Sequence, residues 1–238
     1  MGRFLECCCN SVQDVLEAQK GGASRIELCE RLDLGGVTPS ESLLASVLGI
    51  ATIPVNVLIR PATASGRPHG TVMTAAEFVY SEEEICQKEA SIAFCRNFSV
   101  PSTGARVNGV VIGALTPDGA VDASAMRRLV AAAGQLNVTF HRAFDVCADP
   151  LSAFNLLSEL GCDTLLTSGH ADNALSGAPL IAELVSCSAG SPVVMAGCGV
   201  RPSNIAEIES ITSAVAFHSS SRGPSGHTEA AVVASMVG

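Results

Sequence analysis

Short runs of β-branched and aliphatic residues recur along the chain at 4–8, 25–29, 55–60, 109–113, 138–142, 164–168, 193–196 and 214–218. Most are apolar at successive positions, the pattern of strands covered on both faces. With Leu5, Ile26, Val55, Val110, Val138, Leu165, Val193 and Val215 as markers, consecutive runs lie 21, 29, 55, 28, 27, 28 and 22 residues apart. All but the third spacing fit one strand followed by one helix. Helix signals fill the intervals. Ser11 precedes Val12, Val15, Leu16 and Gln19, with Gly21 and Gly22 as the stop; Pro39 and Ser40 open Leu43, Leu44 and Val47. Asp122 opens Met126, Leu129 and Val130, and Asp149 with Pro150 opens Phe154, Leu157 and Leu160, which Gly161 ends. Pro202 and Ser203 begin a weaker segment, and 228–237 forms the last. Such caps satisfy the free amides of a first turn. Eight strand–helix units in 238 residues predict an α/β chain folded as a (β/α)8 TIM-type barrel, with a doubly wound open sheet as the alternative that periodicity leaves open.

The long third interval predicts an extended loop and helix insertion around 61–108. Its first part, 61–70, is rich in Gly, Pro, Ala and Ser and reads as a loop over one barrel end, and 82–98 reads as a helix. No linker-like stretch divides the chain, so 1–238 is expected to be a single domain.

Composition narrows the function classes. Hydrophobic residues make up 47% and charged residues 16%, ample for a core. The net charge is −9 and no basic run exists to neutralise a phosphate backbone, which argues against nucleic acid. The uncharged stretch 42–59 contains Gly49, Pro54, Ser46, Thr52 and Asn56 and reads as helix, turn and strand, not as a membrane span. Arg3 and Glu6 bracket too short an apolar run for a signal peptide, so a cytoplasmic location is expected. The ten cysteines, spread through strands and helices, then read as reduced thiols. Low charge also makes a homo-oligomer the expectation.

In a barrel the C-terminal strand ends carry the chemistry. The polar residues late in the runs are Glu6, Glu27, Cys29, Arg60, His141, Arg142, Ser168 and His218. The strand period of two puts Glu6 with Cys8, Glu27 with Cys29 and Thr139 with His141 on shared faces. Inward carboxylates need cationic partners, and Arg60 on the third strand is the candidate for Glu6 and Glu27. Such a layer reads equally as structural ion pairing or as catalytic machinery. Asp145 stands where it could orient or charge His141. The last two strands end in Gly197-Cys198-Gly199 and His218-Ser219-Ser220, small residues whose amides suit a phosphate or similar anion. No C-x-x-C pair or zinc-finger spacing occurs. Cys8 and Cys29 could converge from adjacent strands, and two soft thiolates favour Cu(I), although buried cysteines also serve as inert packing.

Several of these segments resemble one family. Leu5-Glu6-Cys7-Cys8, the segment from Gly22 to Cys29, Gly35-Gly36-Val37-Thr38-Pro39-Ser40, Ile59-Arg60-Pro61, VTFHRAFD from Val138 to Asp145, and Leu166-Thr167-Ser168-Gly169 are similar to motifs of the CutC copper homeostasis family. The resemblance runs from the first strand to about His218. It implies a TIM-type barrel, a cytoplasmic location and a link to copper tolerance, with the copper ligands falling on Cys8 and Cys29. The sequence departs from the family pattern after Pro61, where 62–79 is longer. Two functions follow as expectations: a non-catalytic copper-binding or copper-responsive protein with Cu(I) as cofactor on Cys8 and Cys29, or an enzyme acting on a small anionic, for example phosphorylated, metabolite through Glu6, Glu27, Arg60 and His141.

Overall fold

A computed structural model describes residues 2–62 and 73–238. Eight parallel strands close a barrel in chain order: β1 (Phe4–Cys9), β2 (Arg25–Leu28), β3 (Val55–Leu58), β4 (Gly109–Ile112), β5 (Asn137–Phe140), β6 (Thr164–Thr167), β7 (Val193–Ala196) and β8 (Ala216–Ser219). Helices α1 (Val12–Lys20), α2 (Glu41–Leu48), α3 (Glu82–Asn97), α4 (Ala123–Ala133), α5 (Pro150–Glu159), α6 (Ala178–Cys187), α7 (Ile205–Thr212) and α8 (Ala230–Val237) alternate with them. The chain is therefore the (β/α)8 barrel that its spacing predicts, and the open sheet is excluded by the β1–β8 pairing of Phe4 with Ala216 and Glu6 with His218.

The caps behave as expected. Ser11, Ser40, Asp122 and Asp149 each accept from an amide of the first turn of α1, α2, α4 and α5. Ser81 and Glu84 form a reciprocal capping box at α3. Between β3 and β4 the described chain also carries a short 3₁₀ turn, Ala75–Phe78. The predicted loop at 61–70 falls largely outside the described residues.

Strand alternation separates two environments. Leu5, Cys7 and Cys9 of β1 join the large core with helix residues such as Val15, Ala18 and Val233, which seals the sheet against the helical ring. The opposite faces fill the barrel. Phe4, Leu166, Met195 and Ala216 form one interior cluster, while Cys29, Leu58 and Val111 form another against Cys8 and Leu32. Near these apolar groups sit Glu6, Arg25, Glu27, Asn56, Arg60, Thr139 and His141, each at least nine-tenths buried. No helix among the described residues is long and apolar enough to cross a membrane.

Candidate functional site

One sector of the barrel interior is built by β1, β2 and β8. Parallel register sets Glu6 beside Arg25 on one flank and His218 on the other, and sets Cys8 beside Glu27. Cys29 follows β2 directly and shares the face of Glu27, so its sulfur reaches Cys8, with the two Sγ atoms 3.7 Å apart. Ligand atoms of Cys8, Glu27 and His218 all lie within 4.8 Å of one another. Sequence parity brought Cys8 and Cys29 together as expected, and His218 joins them.

Charge in this sector is balanced locally. The counter-charge to Glu6 comes from Arg25, whose Nε donates to Glu6 Oε2, and from His218, whose Nδ1 lies 2.8 Å from Glu6 Oε1. Arg60 is not that partner, which corrects the sequence expectation. Burial works to raise the Glu6 pKa, but Arg25 and His218 together outweigh it and leave Glu6 below the ordinary carboxylate value. Glu27 lacks such a close partner among the described residues: His218 Nδ1 is 3.8 Å away, and Glu27 Oε2 is buried without a hydrogen bond there. Burial, aided by the Glu6 charge, lifts its pKa to about 7 against the pull of His218. Burial acts to lower the His218 pKa, yet the charge of Glu27 and the contacts with Cys8 and Glu6 carry it well above the usual imidazole value. The Cys8 thiol is pushed well up, first by its hydrogen bond with Cys29 and then by burial. The resting sector thus holds a charged histidine, an ionised Glu6 and protonated sulfur at Cys8.

Arg60 and His141 lie in a second sector, across β3, β4 and β5. Arg60 Nη1 donates to Gly35 O at 3.3 Å, its Nη2 is 3.8 Å from Glu77 Oε2, and its guanidinium lies 5.7 Å from the centre of the Phe78 ring. The same ring is 5.2 Å from that of His141. His141 fits only because residue 113 is glycine: a Cβ there would come within 2.5 Å of His141 Cε1. Asp145 does not orient His141. Its carboxylate accepts from Arg142 Nε at 2.8 Å, from Thr167 Oγ1 and from Ser168 N at 2.9 Å, which ties the 3₁₀ turn Arg142–Val146 to the end of β6. Its proximity to His141 in sequence does not carry over, because that turn rotates the two side chains onto different partners.

The ends of β7 and β8 are internally bonded. Gly197 N donates to Thr167 O at 2.9 Å, and a Cβ at this position would meet Leu166 Cδ1 at 2.4 Å, so interior packing itself requires glycine. Asn204 Nδ2 donates to Gly199 O, Ser219 Oγ donates to Val200 O, and Ser221 N donates to Ser219 Oγ. Of the residues expected to face an anion here, His218 turns instead to Glu6 and Glu27. Ser220 O accepts from Thr228 Oγ1, which anchors the chain as it leaves β8.

Two site residues escaped the sequence reading. Arg25 opens β2 and has the parity of Glu27, which was a usable signal. Lys88 lies on α3, is fully buried, and donates from Nζ to Gly113 O at 2.8 Å. A lysine in a helix as polar as α3 gives no sequence sign of burial.

Comparison with known proteins is consistent along nearly the whole chain. The CutC family model matches residues 3–223. A family protein CutC from Parabacteroides distasonis is 44% identical over 93% of this chain and 84% of its own length. One from Xylella fastidiosa is 44% identical over 92% and 74%. Among solved structures, the candidate copper homeostasis protein CutC of Streptococcus agalactiae superposes with a TM-score of 0.77 at 27% identity, covering 92% of this chain and 98% of that one. Phosphoribosyl anthranilate isomerase from Thermococcus kodakaraensis, 14% identical with a TM-score of 0.56 over 98% and 96%, shares the barrel alone. With the family model, the relatives and the strand-end motifs in agreement, the chain belongs to the CutC family.

Proposed function

We propose that this chain serves copper homeostasis in the cytoplasm by holding Cu(I) between Cys8 and Cys29, with His218 as a third ligand. The observation that carries the reading is the 3.7 Å between the two sulfurs. Two bonds of the length thiolates make to zinc, about 2.3 Å, would meet at roughly a tetrahedral angle across that gap. That angle suits an ion taking a third ligand, and His218 is within reach. Thiolate with imidazole is a soft donor set, suited to Cu(I). Glu6, bonded to His218 Nδ1, would hold the ring as carboxylates hold metal-bound histidines. A reducing compartment fits the ten cysteines, all of them free.

The Cys8 thiol resists ionisation, so binding displaces a proton and apparent affinity should fall as pH falls. The test titrates the reduced wild type, His218→Gln and Cys8→Ser/Cys29→Ser against a chromogenic Cu(I) chelator. His218→Gln should weaken binding about tenfold or more, by analogy with the loss of other metal-site partners, and the double variant should lose the site. Equal copper uptake by the double variant and the wild type would remove these residues as the ligands.

A further inference from the structure

The β3–β5 sector has a different chemistry from the thiol sector, because its polar atoms are mostly donors, with the Glu77 carboxylate 3.8 Å from Arg60 Nη2 as the nearby acceptor. Among the described residues, Arg60 Nε and Nη2, His141 Nε2, Thr139 Oγ1 and Tyr80 OH are buried without a hydrogen-bond partner. Arg60 and His141 are 5% exposed and Thr139 is fully buried. Strand parity aims Thr139 and His141 into the barrel together, and Arg60 follows Leu58 on the inward face of β3. Lys88 closes the group from α3, its Nζ on Gly113 O and 4.0 Å from the centre of the Tyr80 ring, with further N–H groups to offer.

The histidine tautomer follows from its neighbour. Ala143 N donates to His141 Nδ1 at 3.2 Å, so that nitrogen carries the lone pair and the proton of the neutral ring sits on Nε2. His141 is held neutral, its pKa well below the usual value, by burial and then by the charges of Lys88 and Arg60. Nε2–H is therefore a fixed donor with no acceptor among the described residues. Burial, and then the Arg60 charge, brings Lys88 down to about 7, against the pull of Glu84. Buried donors in such number are rare in folded proteins unless something else accepts from them.

We propose that Arg60, Lys88, His141 and Thr139 form a binding site for a small oxyanion, the carboxylate or phosphate group of a small molecule, separate from the thiol pair. An acceptor-rich, negatively charged group answers these five donors and two basic side chains at once, since Glu77 stands 3.8 Å from Arg60 Nη2, beyond hydrogen-bond distance, and leaves Nε and Nη2 to bond elsewhere. The planar Arg60 guanidinium supplies two of its N–H groups to such a group, the geometry in which arginine binds carboxylate and phosphate. The Phe78 ring, in contact with both Arg60 and His141, gives the ligand's carbon portion an apolar wall. Lys88 takes up a proton as the anion arrives and so adds the second positive charge.

The full reduced chain, labelled with 15N at histidine, is titrated with inorganic phosphate and separately with acetate, with chloride at matched ionic strength as reference. The His141 Nε2–H resonance is assigned by its loss in His141→Gln. A saturable shift of that resonance with one or both anions is expected, and the anion that binds more tightly identifies the source. Arg60→Gln should weaken binding roughly 10- to 100-fold, the range for hydrogen bonds to charged groups. Thr139→Val, nearly isosteric, should weaken it severalfold. Arg31→Gln, at an exposed arginine paired with Asp33, should leave it unchanged. No saturable shift beyond that of chloride in the wild type would overturn the proposal, as would undiminished binding in both Arg60→Gln and Thr139→Val. If Arg60→Gln does not fold, the wild type and Thr139→Val decide alone. No copper enters this titration, so its failure and the failure of the thiol reading are read separately.

Discussion

Glu6 shows how one buried charge fixes its neighbours. It has no exposed surface, and its carboxylate is divided between Arg25 on β2 and His218 on β8, so it links three strands across the closure of the barrel. Removing one member of such a group leaves an uncompensated charge in an apolar interior, which typically costs about 3–5 kcal/mol. Arg25→Met should destabilise the protein by about that amount in urea unfolding, and Glu6→Gln added to Arg25→Met should recover a large part of it. Because the folded Glu6 pKa lies below 4.5, its stabilisation is present above the unfolded value and is lost as pH falls through the folded one. The wild type should therefore lose stability in acid more steeply than the double variant. Glu6, Cys8, Glu27 and Cys29 were legible in the sequence because a strand's period of two needs no knowledge of its neighbours. The partner of Glu6 was not, because Arg25 and Arg60 have equal claims until the register across β1 and β2 is known.

At the scale of elements, the strand count and most helices follow from caps and spacing, and the exceptions have local causes. Helix α6 has no side-chain cap because its cap is Gly177, which has nothing to accept from the first turn, so Pro179 in that turn is its start signal. Helix α8 begins at Ala230, two residues after its expected start, where Glu229 gives no side-chain cap either. Most strands end a residue or two before the bounds that the sequence pattern predicts, since Cys29, Arg60, Gly113, His141 and Ser168 lie just beyond the paired segments. That placement suits chemistry, because a residue leaving the ladder can turn its side chain into the barrel mouth. Helix packing makes its own demand where the ring of helices closes. Gly21 ends α1 against α8, and a Cβ there would lie 2.4 Å from Val233 Cβ and 2.6 Å from Ala230 O. Neither a β-branched Cβ nor a helix carbonyl can move aside without shifting α8. Gly21→Ala should therefore cost about 1–3 kcal/mol, as overpacking usually does, and lower the thermal midpoint. An unchanged midpoint would mean that α8 yields freely.

Over the whole molecule, buried ionisable groups make stability depend on pH with opposite signs. Lys88 has a folded pKa of about 7 against 10.5 in the open chain, so from pH 7 upward the unfolded state binds more protons and stability rises. The buried thiols act the other way: Cys7 and Cys147 are raised to about 11 and Cys95 and Cys162 to about 12, mainly by burial, from an ordinary value of 9. Above pH 9 the unfolded chain loses thiol protons that the fold retains, and stability falls. Between these windows, from about pH 7 to 9, the Lys88 contribution can be isolated. The charged groups that act on it are Arg60 from the end of β3 and Glu84 from its own helix. Glu27, with its folded pKa of about 7, and His218, which loses its stabilising proton as pH rises through its raised folded pKa, also contribute here, but equally in any variant that leaves the thiol sector intact. Unfolding free energies of wild type and Lys88→Met are to be compared in chloride buffers with reductant, since phosphate is expected to bind. The wild type should gain on the variant as pH rises from 7 to 9, by up to about 1.4 kcal/mol per pH unit. Parallel curves would mean that Lys88 keeps its charge inside the barrel, and the second positive group of the proposed oxyanion site would then be present before any anion arrives.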